Sequence, residues 1–329
     1  MKLASIQTII DIRPIPGADR IEAATVLGYQ TVIKKGEFKS GDLCVWHEPD
    51  TVVPDRPEYE FLRRQNFRLK VTRFKGQVSQ GLALPVSILK TNNYAIGDDL
   101  TEVIGIQKYE KPVPANLLGV AKGAFPSGIA KTDEPNLRSF PDALAEFQGK
   151  KCVITQKVDG TSGTYYLRDG NFGVCSRNLE LLEDATNTFW EIASKYRIRE
   201  ALEKLGGNFA LQGEIHGAGI QSNHMNLKRA DFSAFNLFNT TTHRYVGHNE
   251  LMEFCRTAGI PMVKVVWEGE FRFKLDELIE LANKQDYLPD MPAEGIVIRP
   301  IEETRSMVLP SGRLSAKVLS ERYALKYGE

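Results

Sequence analysis

The chain lacks what would tie it to a membrane, an oxidising compartment or a surface charge of one sign. No run approaches the roughly 20 consecutive apolar residues of a membrane-spanning helix. The stretch from Met1 to Asp11 has no basic segment followed by a continuous apolar one, so it does not read as a secretory leader. A cytoplasmic protein without membrane contact is the expectation. Cysteine is scarce: Cys44, Cys152, Cys175 and Cys255 are far apart and never form Cys-x-x-Cys, which argues against zinc clips and a disulfide framework and leaves them as small buried hydrophobes. Net charge is absent, with 42 basic residues against 42 acidic ones. Any nucleic-acid partner must therefore be held by local patches. Walker-type glycine loops, His-Glu-x-x-His and Gly-x-Ser-x-Gly are all missing, so kinase-like NTPase, zincin and serine-hydrolase readings have no support. There is no internal repeat and no low-complexity tract.

What is present suits two domains, since 329 residues with 42% hydrophobic content can bury two cores. Over residues 1–104, short apolar runs such as Tyr29 to Ile33 and Leu43 to Trp46 alternate with turn chemistry at Pro14 to Asp19, Gly28, Gly36, Gly41-Asp42 and Pro49-Asp50. That spacing predicts a small all-β barrel. Residues 105–141, with Pro112-Val113-Pro114 and Phe125-Pro126-Ser127-Gly128, read as an ordered connector. Over 142–329 strands and helices mix. Strands are predicted at Cys152 to Gln156, Thr164 to Leu167, Gly173 to Cys175, Ala210 to His216, Phe232 to Phe238, Met262 to Trp267, Gly295 to Arg299 and Leu314 to Val318. Helices are predicted over Asn178 to Leu205, Glu250 to Ala258 and Leu275 to Asn283. Few strands are separated by crossover-length helices, so an antiparallel α+β domain is expected.

Gln156-Lys157-Val158-Asp159-Gly160 places a lysine at the end of an apolar strand, just before a carboxylate and a glycine. A lysine becomes a nucleophile when its ammonium loses a proton near neutral pH, which partial burial and neighbouring cations would promote. The glycine would let the backbone turn and approach a phosphate. Alone, Lys-x-Asp-Gly is a short motif that a hairpin turn explains as well.

Five further segments follow in order: Ser176-Arg177-Asn178, Gln212-Gly213-Glu214-Ile215-His216-Gly217, Phe232-Ser233-Ala234-Phe235-Asn236, Glu294-Gly295-Ile296-Val297-Ile298-Arg299 and Ser315-Ala316-Lys317-Val318. With the lysine motif they resemble the covalent nucleotidyltransferases: RNA ligases, DNA ligases and mRNA capping enzymes. The resemblance implies that Lys157 becomes adenylylated, that Arg177 approaches the sugar and the incoming 5′-phosphate, and that Glu214 holds the ribose. It further implies that Phe235 stacks on the base, that Asp159 and Glu294 serve Mg²⁺ or Mn²⁺, and that Arg299 and Lys317 meet phosphates. Each residue also has an ordinary reading: Arg177 as surface, Glu214 as a paired strand carboxylate, Phe235 as core, Glu294 as a turn residue.

The Gln-Gly-Glu and Phe-Ser-Ala-Phe forms resemble RNA ligases in particular. An oligonucleotide-binding (OB) barrel ahead of the catalytic domain is similar to the Deinococcus-type nick-sealing RNA ligases, as are Gly41-Asp42-Leu43, Ser79-Gln80-Gly81-Leu82 and Lys131-Thr132-Asp133-Glu134. Only 12 residues follow Lys317, too few for the trailing OB domain of DNA ligases and capping enzymes. The implied fold is α+β, an OB-like barrel followed by an antiparallel nucleotidyltransferase domain of ATP-grasp-like build. The implied activity is ATP-dependent sealing of 5′-phosphate to 3′-hydroxyl ends in nicked RNA or RNA/DNA duplexes, by a monomer that a kinase-phosphatase supplies with healed ends. Gln156 stands where many RNA ligases have glutamate, and Asn236 where many have aspartate, which bears on base choice. Ser315 replaces a lysine of a related branch, which shifts phosphate contacts toward Arg299, Lys317 and Lys326.

Residues 61–75 hold six basic residues, three aromatics and no acid. Cations track phosphates and aromatics stack bases, so Arg63, Arg64, Arg68 and Lys70 are candidates for duplex binding. The alternative is a barrel core of aromatics with a solvated cationic face. Two other readings of the whole chain remain: a GTP-specific capping-type guanylyltransferase, and a catalytically inactive nucleic-acid-binding protein.

Overall fold

The computed structural model describes residues 2–89, 93–109 and 120–328. The Pro112-Val113-Pro114 part of the expected connector lies outside the described residues. By compactness the chain forms two units, one of Met1–Lys111, Asn136–Leu144 and Leu319–Glu329, the other of Pro112–Pro135 and Ala145–Val318. No described helix is long and apolar enough to cross a membrane.

The first unit is built on strands. Ala4–Thr8, Leu43–His47 and Leu82–Pro85 make one antiparallel sheet, and Asp11–Pro14, Ile21–Val26 and Tyr29–Lys34 another. Buried Ile6, Val45, Tyr59 and Leu69 pack in one cluster; Ile9, Val26, Tyr29 and Trp46 pack in a second. Gly81 is required there twice over: its φ is +65°, and a Cβ would lie 2.5 Å from the Trp46 ring and 2.6 Å from the His47 carbonyl oxygen. Residues 136–144 and 319–329 join this unit through Arg138, which is 2% exposed. Its guanidinium donates to Gln80 Oε1 at 2.5 Å and to Glu321 Oε1 at 2.8 Å. A buried guanidinium needs such partners, so the contact reaches across the linear domain order of the sequence.

The second unit carries a seven-stranded antiparallel sheet, which includes Thr161–Arg168, Asn171–Cys175, Phe209–Gly217 and Ala230–Asn239. A four-stranded sheet runs in the order Val265–Glu270, Lys151–Lys157, Gly295–Pro300, Ala316–Leu319, its first three strands antiparallel. One face of the larger sheet buries Tyr165, Leu211, Ile215 and Phe232 against Phe189, Ile192, Leu202 and Phe254. Strand alternation sends Gln212, Glu214 and His216 to the other face.

The α+β expectation holds, with local corrections. Asn178 to Leu205 is not one helix. Leu179–Leu181 is a strand, helices cover Thr188–Lys195 and Ile198–Leu205, and Arg197 between them adopts φ 50°. The Asn187 side chain accepts from Phe189 N–H and starts the first helix. Met262 to Trp267 begins late, as Val265–Glu270, because Met262 forms only an isolated bridge to Ala234.

Candidate active site

Lys157 is the last residue of its strand and pairs with Gly295 in the neighbouring strand. Asp159 and Gly160 then carry the chain from the four-stranded sheet into the seven-stranded one, at Thr161. Gly160 is needed for packing: a Cβ would lie 2.2 Å from the Ile215 carbonyl oxygen. Its φ is not in the left-handed region, so the expected role in permitting a sharp turn gives way to one of close strand approach.

The Lys157–Gly295 register sets Glu294 beside the lysine, and Nζ donates to Glu294 Oε2 at 2.6 Å. The pair is about one-fifth exposed, at 22% and 18%. Burial pulls the ammonium pKa down, but the Glu294, Glu214 and Asp159 carboxylates outweigh it and push it up to about 12. The expectation of neighbouring cations is therefore corrected: the neighbours are acids, and they hold the proton on. Glu214 is raised as well, since burial pushes its carboxyl up to about 8 despite Lys157.

Around this cluster sit groups that sequence reading missed. Tyr287 Oη contacts the backbone of Lys157, Asp159 and Glu294. In the loop after Glu214, the Gln221 side-chain amide donates to the Gly160 carbonyl, and His224 Nε2 lies 3.8 Å from Asp159 Oδ2. Three residues of that loop, Gln221, Asn223 and Asn226, hold positive φ. The expected connector contributes a strap. Lys131 donates to Asn178, Thr132 bonds Ser162, Asp133 pairs with Arg177 at 2.9 Å, Glu134 with Arg299 at 2.6 Å, and the Pro135 carbonyl accepts from Lys317 N–H. Its sequence signal was the Lys-Thr-Asp-Glu run, read only as a likeness and not as a set of partners.

Phe235 falls in a bulge: Gln212 faces Asn236 and Gly213 faces Ala234, which leaves Phe235 unpaired in the ladder and only half-buried. Bulges re-aim a side chain. Phe232 takes the core role instead, edge-on to Tyr165 at 5.3 Å. Arg299 braces Phe235 and is committed elsewhere than to Lys157: its guanidinium donates to the Phe235 carbonyl, Ser315 Oγ and Glu134. Asn236 is likewise engaged, donating to Gln212 Oε1 at 3.2 Å and accepting from Arg313 at 3.0 Å. Gln156 is buried and donates to the Asp286 carbonyl. Lys326 lies on the helix Glu321–Tyr327 of the first unit.

Of the barrel candidates, Arg63 is tied to Asp55 and Glu60, and Arg68 pairs with Asp50 while lying 3.5 Å over the Tyr109 ring. These acids come from outside the 61–75 stretch. Arg64 is exposed, Lys70 half-buried, and Phe61 and Phe74 are exposed rather than core.

Among the described residues no group of three or more His, Cys, Asp or Glu is arranged to hold a metal. Asp159 and Glu294 are carboxylates beside Lys157, and carboxylate oxygens are the hard donors that suit Mg²⁺ or Mn²⁺.

A family model described as RNA ligase matches residues 150–319, and one described as an OB-fold domain matches residues 3–86. Among solved structures, Naegleria gruberi RNA ligase with PPi is 35% identical with a TM-score of 0.90, over 100% of this chain and 99% of that one. A lysine-to-methionine variant of that ligase with AMP and Mn is 34% identical with a TM-score of 0.91, over 100% and 99% of the two chains. A lysine-to-alanine variant with ATP and Mn is 35% identical with a TM-score of 0.90, over 99% of each. No curated protein matches the chain. With a lysine set among carboxylates where two antiparallel sheets meet, and with similarity running end to end, the chain belongs to the RNA ligase family.

Proposed function

We propose that the enzyme is an ATP-dependent ligase that carries AMP on Lys157 and seals a 5′-phosphate to a 3′-hydroxyl at a nick in RNA or an RNA/DNA duplex. The observation that carries this reading is the 2.6 Å contact of Lys157 Nζ with Glu294, with Glu214 and Asp159 alongside. Once its ammonium proton has passed to water, Lys157 is a neutral amine that attacks the α-phosphate of ATP. The N–P bond forms, the bond to the β-phosphate bridging oxygen breaks, and pyrophosphate leaves. AMP then passes to the 5′-phosphate of a strand end. The 3′-hydroxyl attacks that phosphate, loses its proton and expels AMP.

In this reading Phe235, unpaired at its bulge, stacks on the base, and Gln156 meets its edge. Glu214, its carboxyl pushed up by burial, holds the ribose hydroxyls. Arg177 and Lys317 serve the phosphates; Arg299 acts through Phe235. A divalent cation held by Asp159 and Glu294 would supply charge neutralisation at the phosphates and weaken the carboxylates' hold on the Lys157 proton. Arg63, Arg64, Arg68 and Lys70 track the duplex. A cytoplasmic, monomeric enzyme supplied with healed ends completes the reading.

The test is to incubate the protein with α-labelled ATP and Mg²⁺ or Mn²⁺ and look for label that stays on the denatured protein, survives alkali and is released by acid, as a phosphoramidate requires. Lys157→Ala is expected to take up none, and label on that variant would remove the assignment. Labelling by GTP instead of ATP would favour a capping-type enzyme.

A further inference from the structure

We propose that Tyr287 is a positioning residue whose hydroxyl holds the nucleophile and its two flanking carboxylates in one register. The inference rests on the assignment of Lys157 as the carrier of AMP.

Tyr287 lies on the short strand Asp286–Leu288. Its hydroxyl donates to the Lys157 carbonyl at 2.8 Å and accepts from the backbone N–H of Asp159 at 2.7 Å and of Glu294 at 3.1 Å. A phenol oxygen has one proton and two lone pairs, so these three bonds saturate it.

The position of the three bonds gives them their meaning. Lys157 opposite Gly295 is the final pair of that strand ladder. Beyond it the two chains part, one toward Asp159 and the other back toward Glu294, with no ladder bond to keep them together. The phenol supplies the missing rung from a third strand. Next to it, the Asp286 carbonyl accepts from the Gln156 side chain, so the same strand grips the nucleophile strand at two points. No other hydroxyl touches all three residues among the bonds described, and each of the three belongs to the proposed chemistry. The Lys157 to Glu294 contact is set by where these two backbones lie, and Tyr287 sets that.

Tyr287→Phe keeps the ring and removes the hydroxyl. The experiment compares it with the wild-type protein in two single-turnover reactions. One is AMP transfer from α-labelled ATP to the protein over a range of ATP concentrations. The other is sealing of a nick whose 5′ end already carries AMP, for which Lys157 need not act as carrier. The expected result is a fall on the order of 10²-fold in the maximal rate of AMP transfer, as for misplacement of a reacting group by about 1 Å. The ATP concentration at half-maximal rate should change little, and sealing of the pre-adenylylated nick should fall much less. A wild-type rate of AMP transfer in Tyr287→Phe would overturn the proposal. So would an equal loss in both reactions with a lowered melting temperature, since the tyrosine would then be general support for the fold. Absence of label on the wild-type protein would overturn the assignment of Lys157 and the proposal with it.

Discussion

Around Lys157 three carboxylates crowd one ammonium in a largely closed setting, whereas in the 61–75 stretch of the first unit Arg63 stands in water between Asp55 and Glu60. The Lys157 pair is 22% and 18% exposed; Arg63 and Asp55 are 53% and 59% exposed. An exposed ion pair contributes little and is screened by salt, so a phosphate can replace its acid at small cost. A pair withdrawn from water is costly to leave half-made, and removing one partner strands the other. The first arrangement therefore stores a chemical state, while the second offers exchangeable charge. That is the division expected between a reacting centre and a surface that tracks a backbone.

The largest effect that sharpens this contrast concerns Glu214. Its folded pKa of about 8 stands above the ordinary carboxyl value, so the folded state holds this proton where the unfolded chain has released it. Stability from this group is complete below the unfolded pKa and is lost as pH rises through the folded one. Glu214→Gln should remove a destabilisation of up to a few kcal/mol at pH above 8, read as a flatter melting temperature between pH 5 and 9. A slope equal to wild type would place Glu214 in water, like the barrel acids.

Next comes Phe235→Ala, expected to weaken nucleotide binding by about 1–3 kcal/mol, the usual loss when a base loses an aromatic platform. Titration with labelled ATP on the Lys157→Ala background measures it. Unchanged binding would return Phe235 to a purely structural role.

The smallest effect on the chemistry should come from replacing Arg63, Arg64, Arg68 and Lys70 together with alanine. AMP transfer to the protein should stay intact while nick sealing falls and its dependence on salt becomes shallower, since fewer counterions are released. Sealing at the wild-type rate in moderate salt would remove the barrel stretch from nucleic-acid binding.

Much of the candidate site was legible because its residues lie in short local runs whose order along the chain is itself information. The antiparallel α+β class was legible too, from strands with no crossover helices between them. Tyr287 was not legible, because nothing in Asp286-Tyr287-Leu288 marks it; only the meeting of three strands gives its hydroxyl three partners. The strap from Lys131 to Pro135 looked like connector for the same reason, its partners lying from Ser162 to Lys317. The helix expected from Asn178 onward failed at its start because Leu179–Leu181 finds a strand edge at Cys175, and tertiary pairing outweighs weak local preference.

The sequence by itself determined which side chains the proposed chemistry draws on and in what order the chain delivers them: Lys157, Arg177, Glu214, Phe235, Glu294, Lys317. Only the tertiary structure decided their electrical state. A lysine's proton depends on which charges stand within a few ångströms and on how much water is left between them. Here strand pairing brought Glu294 to Lys157, and the sheet crossover brought Asp159 and Glu214. The Lys157 to Glu294 distance is set by a contact between residues 137 positions apart.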